Sequence, residues 1–242
     1  MPSINLNNYH HIVVLTGAGI SAASGIRPFR GPGGLWEDID PMIYATHEAL
    51  LETPLMVWKL FGVLRTQLKT HGPNPAHNYL ADIEKQLSNE HQFTLMTQNI
   101  DGLHLAAGSI NVVEMHGAIQ RTRCSNEFCQ LKPFEDDDPH TEVLPTCPIC
   151  HAPLRPDIVL FNEFLSEDVE RRCHTALLDV DLFIAIGTSG VVYPAASFVH
   201  SAYRKHARTI LINLEPMDPP NPYFMEETIG KAEEYLPELI TV

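Results

Sequence analysis

Residues 13–36 read VVLTGAGISAASGIRPFRGPGGLW. A short apolar run ends at Gly17, and bare backbone follows at Gly19, Gly25, Gly31, Gly33 and Gly34, with Arg27 and Arg30 among them. A continuous apolar run of this length is the pattern of a strand buried on both faces. Ligands of open α/β sheets bind beyond the carboxyl ends of the strands, where glycine lets backbone N–H groups approach a phosphate. The spacing is G-x-G, five residues, then a third glycine, not the G-x-G-x-x-G of the common dinucleotide fingerprint. Nor does an acidic residue close a second strand about 20 residues on. Taken alone, the stretch fits either a dinucleotide turn or a tight strand-to-helix turn.

The strand pattern recurs in QFTLMTQN (92–99), INVVEMHG (110–117), DLFIAIGTSG (181–190) and RTILINLEP (208–216). Helical patterns lie between: PNPAHNYLADIEKQL (73–87), EDVERRCHTALLD (167–179) and PAASFVHSAYRKH (194–206). This alternation predicts an α/β fold, a Rossmann-like doubly wound parallel sheet. Two regions break it. Residues 37–74 carry no strand signal; Thr53 stands at an N-cap position with Pro54 first in the helix, and Val57, Leu60, Phe61, Leu64 and Leu68 share one helical face. Residues 121–154 are rich in Pro, Asp and Cys. The expected division is a dinucleotide-binding domain from 1–36, 75–120 and 155–242, with a smaller module made of a helical insert (37–74) and a zinc-ribbon insert (121–154).

The 242 residues are 44% hydrophobic and 19% charged, with a net charge of −14. That balance speaks against a nucleic-acid binder, which needs a basic face. The first residues show no secretory pattern, and no apolar run approaches the ~18 residues of a membrane span. A soluble, cytoplasmic monomer is expected. Four of the five cysteines, Cys124, Cys129, Cys147 and Cys150, read C-x4-C, 17 residues, C-x2-C. In a cytosolic chain this suggests metal rather than disulfides: one structural zinc closed by four thiolates, with no open position for catalysis. Four reduced, buried cysteines are the alternative. Cys173 falls in a helical pattern and reads as core.

Polar clusters sit where strands end: Gln98, Asn99, Asp101 and His104 in TQNIDGLH, His116 in EMHG, Gly187, Thr188 and Ser189 in GTS, and Asn213, Leu214 and Glu215 in NLEP. Together with GAGISAASGIRPFR, the paired cysteines and RPDIVLFNE, they occur in the order seen in the sirtuins, NAD-dependent protein-lysine deacylases, and the chain resembles that family over nearly its whole length. The segment GISAASGIRPFRGPGGLW is most similar to the bacterial branch that includes desuccinylase-type members.

The resemblance implies transfer of an acyl group from lysine to the ADP-ribose of NAD, with release of nicotinamide. On this reading Gly17, Ala18, Gly19 and Ser21 cradle the diphosphate, and Phe29, Arg30 and Trp36 belong to the cofactor site. Gln98 and Asn99 fix a ribose and a water, and Ile100 and Asp101 hold the nicotinamide carboxamide. Gly187, Thr188, Ser189, Asn213, Leu214 and Glu215 contact the adenosine half, with Lys231 or Ala232 at the adenine. His116 is the expected general base, singled out from 13 histidines by its context; Asn99 and Asp101 complete the catalytic set. His104 reads as structural or ribose-adjacent. Val159, Leu160 and Phe161 are expected along the acyl-lysine peptide, which pairs with a strand edge.

Two departures stand out. The family usually has Gly where this chain has Asn162. Desuccinylase-type members carry Tyr-x-x-Arg in the helical insert; here the matching positions are Phe61 and Leu64, which line the acyl pocket on this reading and cannot neutralise a carboxylate, the alternative being that both are simply core on the apolar stripe. Arg65 is one residue late. Weak turnover of succinyl or malonyl lysine follows, with acetyl or longer apolar groups preferred and deacetylation the expected main activity. NAD hydrolysis or mono-ADP-ribosyl transfer, and a non-catalytic NAD-sensing module, are the competing readings.

Overall fold

The computed structural model describes residues 3–29 and 33–242. Its strands are β1 (Ile4–Asn5), β2 (His11–Thr16), β3 (Gln92–Thr97), β4 (Val112–Glu114), β5 (Gly117–Cys124), β6 (Phe134–Glu135), β7 (Leu154–Ile158), β8 (Leu182–Ile186), β9 (Arg208–Asn213), β10 (Glu226–Ile229) and β11 (Ile240–Thr241). Its helices are α1 (Leu35–Asp38), α2 (Pro41–Tyr44), α3 (His47–Glu52), α4 (Pro54–Leu68), α5 (Pro75–Gln86), α6 (Leu103–Ala107), α7 (Glu167–Leu177), α8 (Phe198–Arg204) and α9 (Ala232–Leu239).

The main sheet has the order β10-β9-β8-β2-β3-β4, every pair parallel. Alternation along the strands explains why the central segments of β2 and β8 are apolar without a break. Ile12 and Val14 face a core completed by Leu80 and Ile83 of α5 and Leu236 of α9. Val13 and Leu15 face the opposite core, with Cys173 and Leu177 of α7 and Phe198 and Val199 of α8. With helices on both faces, neither side of a strand meets water.

Register places the functional loops. Thr16 stands beside Thr97 and Ile186, and Ile186 beside Ile212. The turns that begin at Gly17, Gln98, Gly187 and Asn213 therefore leave one edge of the sheet at one level. The chain steps from β2 to β3 on one side and returns to β8 on the other, so a crevice opens between the β2 and β8 turns.

Strands β6-β5-β7 form a separate three-stranded antiparallel sheet bearing the cysteines. Helix α4 packs against it. Thr53 and Pro54 begin α4, although the Thr53 hydroxyl donates to Ala49 O rather than capping the helix. Val57 and Phe61 are buried on the predicted face, with Leu60, Leu64 and Leu68 partly buried beside them. Burial also extends round one flank of that face. Trp58 is fully buried and donates to Leu154 O at 3.0 Å. Arg65, 1% exposed, donates to the carbonyls of Ile119, Asp138 and Arg121 and to Thr122 Oγ1, and pairs with Asp136 at 3.2 Å.

Candidate active site

The glycine stretch does not run into an α-helix. Residues Ala18–Ser24 form a 3-10 turn that ends at Gly25 in the left-handed region. Gly17 N–H donates to Ile186 O at 3.0 Å and Gly19 N–H to Gly187 O at 2.9 Å. A Cβ on Gly17 would lie 2.6 Å from Gly187 O, and one on Gly187, at φ +61°, would lie 2.5 Å from Ile20 N. The first need for glycine here is thus the close approach of the β2 and β8 turns, with the exposed backbone as its result.

Beneath that crevice lies a polar cluster. Asn99 is buried; its Nδ2 donates to Gly17 O and to Ser21 Oγ, both at 3.1 Å. Ser21 Oγ donates to Asp101 Oδ2 at 2.7 Å. Asp101 also accepts from Leu103 N–H at 3.0 Å. Burial pushes its carboxyl upward, and these bonds oppose the shift. His77 accepts Asn74 N–H on Nδ1, so its Nε2 faces Ser21 Oγ as a donor at 3.4 Å. Neighbouring strand β5 positions the loop from outside: Ile119 N–H donates to Ile100 O at 2.8 Å, and Gln120 Nε2 donates to Asp101 O at 2.5 Å.

Ser21, Asn99, Ile100 and Asp101 open into a pocket closed by Phe29 and Leu64. Phe29 stacks on Trp36 at 5.2 Å, and Trp36 meets the edge of Phe161 at 6.3 Å. Arg27 lines the same pocket and pairs with Asp38 at 2.7 Å. Arg30 lies outside the described residues. His116 stands at the start of β5. Its Nδ1 donates to Gln98 O at 2.8 Å, which leaves the Nε2 lone pair as a proton acceptor. Burial lowers its pKa, and the bond to Gln98 works the other way.

The residues expected at the adenosine half gather after the ends of β8 and β9. Gln98 Nε2 donates to Thr188 Oγ1 at 2.8 Å. The Asn213 amide is taken up at both ends by Thr188, accepting from its N–H and donating to its carbonyl. Ser189, Leu214 and Glu215 are exposed. Lys231 is exposed and pairs with Glu234, while Ala232 is buried at the start of α9.

In the expected substrate segment, Val159 N–H already donates to His116 O at 2.9 Å, so a bond to a substrate amide falls to its carbonyl. Phe161 donates to Ala45 O and accepts from His47 N–H, which clasps this segment to the helical insert. Leu160 and Phe61 are buried at 4% and 5% exposure, whereas Leu64 reaches the pocket wall. Asn162 has φ +67° and donates to Glu48 Oε2 at 2.9 Å. Glycine is at ease in that left-handed conformation, and Asn is the side-chain-bearing residue best able to replace it.

Sequence reasoning passed over His77, Thr16, Thr97 and Gln120. The one available signal was NPAH at the start of α5. Asn74 caps that helix and the His77 side chain accepts the Asn74 N–H, so His77 takes the place of the Glu or Gln of a capping box.

The four cysteines converge. Their Sγ atoms lie within 4.8 Å of one another, with Cys124–Cys150 at 3.5 Å and Cys129–Cys147 at 3.6 Å. Thiolates about 2.3 Å from one tetrahedral ion stand about 3.8 Å apart, so the cluster fits a single zinc. Asn126 N–H donates to Cys124 Sγ and Ile149 N–H to Cys147 Sγ, each at 3.4 Å, which suits sulfurs carrying negative charge. All four ligand positions are filled by protein, so the site is structural.

The Sir2 family model matches residues 17–194. An NAD-dependent protein deacylase of Vibrio parahaemolyticus is 43% identical over 239 residues, 96% of this chain and 94% of the relative. NAD-dependent protein deacylase 2 of Pyrobaculum aerophilum is 41% identical over 240 residues, 97% of this chain and 92% of the relative. Among solved structures, a Sir2 homolog–NAD complex superposes with a TM-score of 0.87 at 36% identity, covering 97% of this chain and 89% of the other. A Sir2–p53 peptide–NAD+ complex gives 0.81 at 29% identity, covering 96% and 93%.

Proposed function

The chain belongs to the Sir2 family, and we propose the following assignment of its residues to an NAD-dependent protein deacylase that acts on acyl-lysine peptides and carries one structural zinc. The observation that supports it most is the pocket in which Asn99, Ile100 and Asp101 meet Phe29 beside the glycine crevice, with His116 Nε2 left as an acceptor by the bond to Gln98 O. NAD, when bound, supplies the ribose carbon that accepts the acyl oxygen as nicotinamide leaves.

Ile100 and Asp101 hold the carboxamide end, and Asn99 with Gln98 fixes the adjoining ribose and a water; the Asn99 and Asp101 side chains are themselves fixed through Ser21. The Gly17 and Gly19 turn, with Ala18, receives the diphosphate at the crevice. Thr188, oriented by Gln98 and Asn213, receives the adenosine half together with Ser189, Leu214 and Glu215. Phe29, stacked on Trp36, covers the reacting carbon and excludes water. His116 takes a proton from a ribose hydroxyl at Nε2; its lowered pKa keeps the ring neutral and ready at neutral pH. The peptide lies along Val159–Phe161, and the net charge of −14 favours lysine-bearing partners over nucleic acid.

With Leu64 on the pocket wall, Arg65 held by backbone carbonyls and the pocket-lining Arg27 paired with Asp38, neither Phe61 nor Leu64 supplies a partner for an acyl carboxylate. Acetyl and apolar acyl groups are therefore the preferred substrates. The two-part division expected from the sequence is supported by the separate sheets and by the apolar cluster around α4. The test is turnover of an acetyl-lysine peptide with and without NAD, with His116→Ala alongside. Deacetylation should require NAD and fall at least about 100-fold in the variant. Nicotinamide release without peptide would favour NAD hydrolysis instead.

A further inference from the structure

Asn99 is held from two directions, and both lead to a histidine that lies away from the pocket. Its side chain is held through Ser21, whose hydroxyl faces His77. Its backbone N–H donates to Thr97 Oγ1 at 3.1 Å. Thr97 Oγ1 accepts from Thr16 Oγ1 at 2.9 Å, and Thr16 Oγ1 lies 2.9 Å from His104 Nε2. Since Thr16 donates onward to Thr97, Nε2 carries the proton and donates to Thr16. The two paths close on each other, because the His77 and His104 rings meet in a T-shaped contact with their centroids 4.7 Å apart. Every member is buried: His77 0%, Thr16 0%, Ser21 1%, His104 2%, Thr97 4% and Asn99 4% exposed.

We propose that His104 is a positioning residue for Asn99: through Thr16 and Thr97 it sets the backbone of the residue that fixes the ribose next to the carboxamide of NAD, an inference that rests on the deacylase reading above. A purely space-filling role is a poor account of this ring. Among the described residues its Nδ1 is buried with no hydrogen-bond partner, a cost that an apolar side chain of similar volume would avoid. The other nitrogen heads the relay. Burial also keeps both rings neutral, moving His77 down to about 4 and His104 to about 3, so the donor pattern is fixed across the working range of pH.

The test compares His104→Gln, His104→Asn and His104→Leu with wild type. Gln places an amide nitrogen where imidazole Nε2 lies; Asn reaches only to the Nδ1 position. The readouts are kcat/KM for NAD at saturating acetyl peptide, KM for the peptide, and the NAD dissociation constant by calorimetry. His104→Gln should stay within about threefold of wild type, whereas His104→Asn and His104→Leu should lose about tenfold in kcat/KM and affinity for NAD, with peptide KM unchanged. Thr97→Val should give the same loss, and combining it with His104→Asn should add nothing, because both cut one relay. Equal values for Gln and Asn, or a lowered melting temperature with NAD parameters unchanged, would overturn the proposal. Should His104→Leu not fold, the Gln and Asn pair decides. If wild type turns over no acyl peptide, the deacylase reading fails, and the NAD dissociation constants still decide the relay.

Discussion

The Ser21–His77–Asn99 cluster under the pocket and the Arg65–Asp136–His140 cluster under α4 are both made of polar side chains removed from water. They differ in where their bonds end. Arg65 is satisfied almost entirely by backbone: three carbonyls from β5 and the 136–140 loop, with Thr122 and Asp136 completing the set, and its guanidinium lies 4.7 Å from the Trp58 ring. Asp136 in turn accepts from Thr122 and contacts His140 at 2.9 Å. Burial would raise its carboxyl, but these partners bring it down to about 2. None of these residues lines the pocket beside the glycine crevice. In the other cluster, Ser21, Asn99 and Asp101 line a pocket, and Asp101 is pushed upward rather than downward. A buried polar network closed on backbone holds a module together; one left open toward a pocket holds a ligand.

If that contrast is right, Arg65→Met should be costly to stability and mild in chemistry. It strips a buried partner from Asp136 and leaves carbonyls without donors, so urea unfolding should show a loss of about 3–5 kcal/mol. Deacetylation per folded molecule should change little. A large loss of turnover in a stable Arg65→Met protein would break the comparison.

The open cluster makes the stronger pH signature. His77 and His104 are neutral in the fold, at about 4 and about 3, against about 6.5 when unfolded. As pH drops below about 6.5 the unfolded chain takes up protons that the fold refuses, so stability declines until pH reaches the folded values. By pH 4 the loss is on the order of 3 kcal/mol per ring. Denaturant midpoints between pH 7 and 4 check this, and His104→Gln should flatten the slope.

The smallest expected effect sharpens the boundary between the two regions at Leu64, whose neighbour Arg65 belongs to the closed cluster. Phe61→Tyr combined with Leu64→Arg should raise the succinyl-to-acetyl efficiency ratio about tenfold by supplying a carboxylate partner. Matched peptides measure it; a wild-type protein that already handles succinyl and acetyl lysine equally would contradict the pocket assignment.

Much of the molecule is legible in local pattern. The parallel strands announce themselves because burial on both faces leaves no polar positions in VVL or LFIAI, and the cysteine spacing is readable because four ligands must reach one ion. Long-range contacts are less so. By local pattern Arg65 is only one residue late for the acyl-pocket position at Leu64, yet carbonyls more than fifty positions away bind it in the interior. His104 stands in the same short motif as Asn99, but its reach to Thr16 across 88 positions is set by strand register. The glycines of TGAG suggest a phosphate cradle, while their nearest demand, the close approach of Gly187, comes from a strand 170 residues later.

The most direct test of the central claim is to quantify both products of one reaction, nicotinamide and deacetylated peptide, with wild-type protein, NAD and an acetyl-lysine peptide. The account predicts equal amounts of the two at every time point, and neither when NAD or the acetyl group is omitted. Nicotinamide formed in excess of deacetylated peptide, or without it, would contradict the assignment of this site to lysine deacylation.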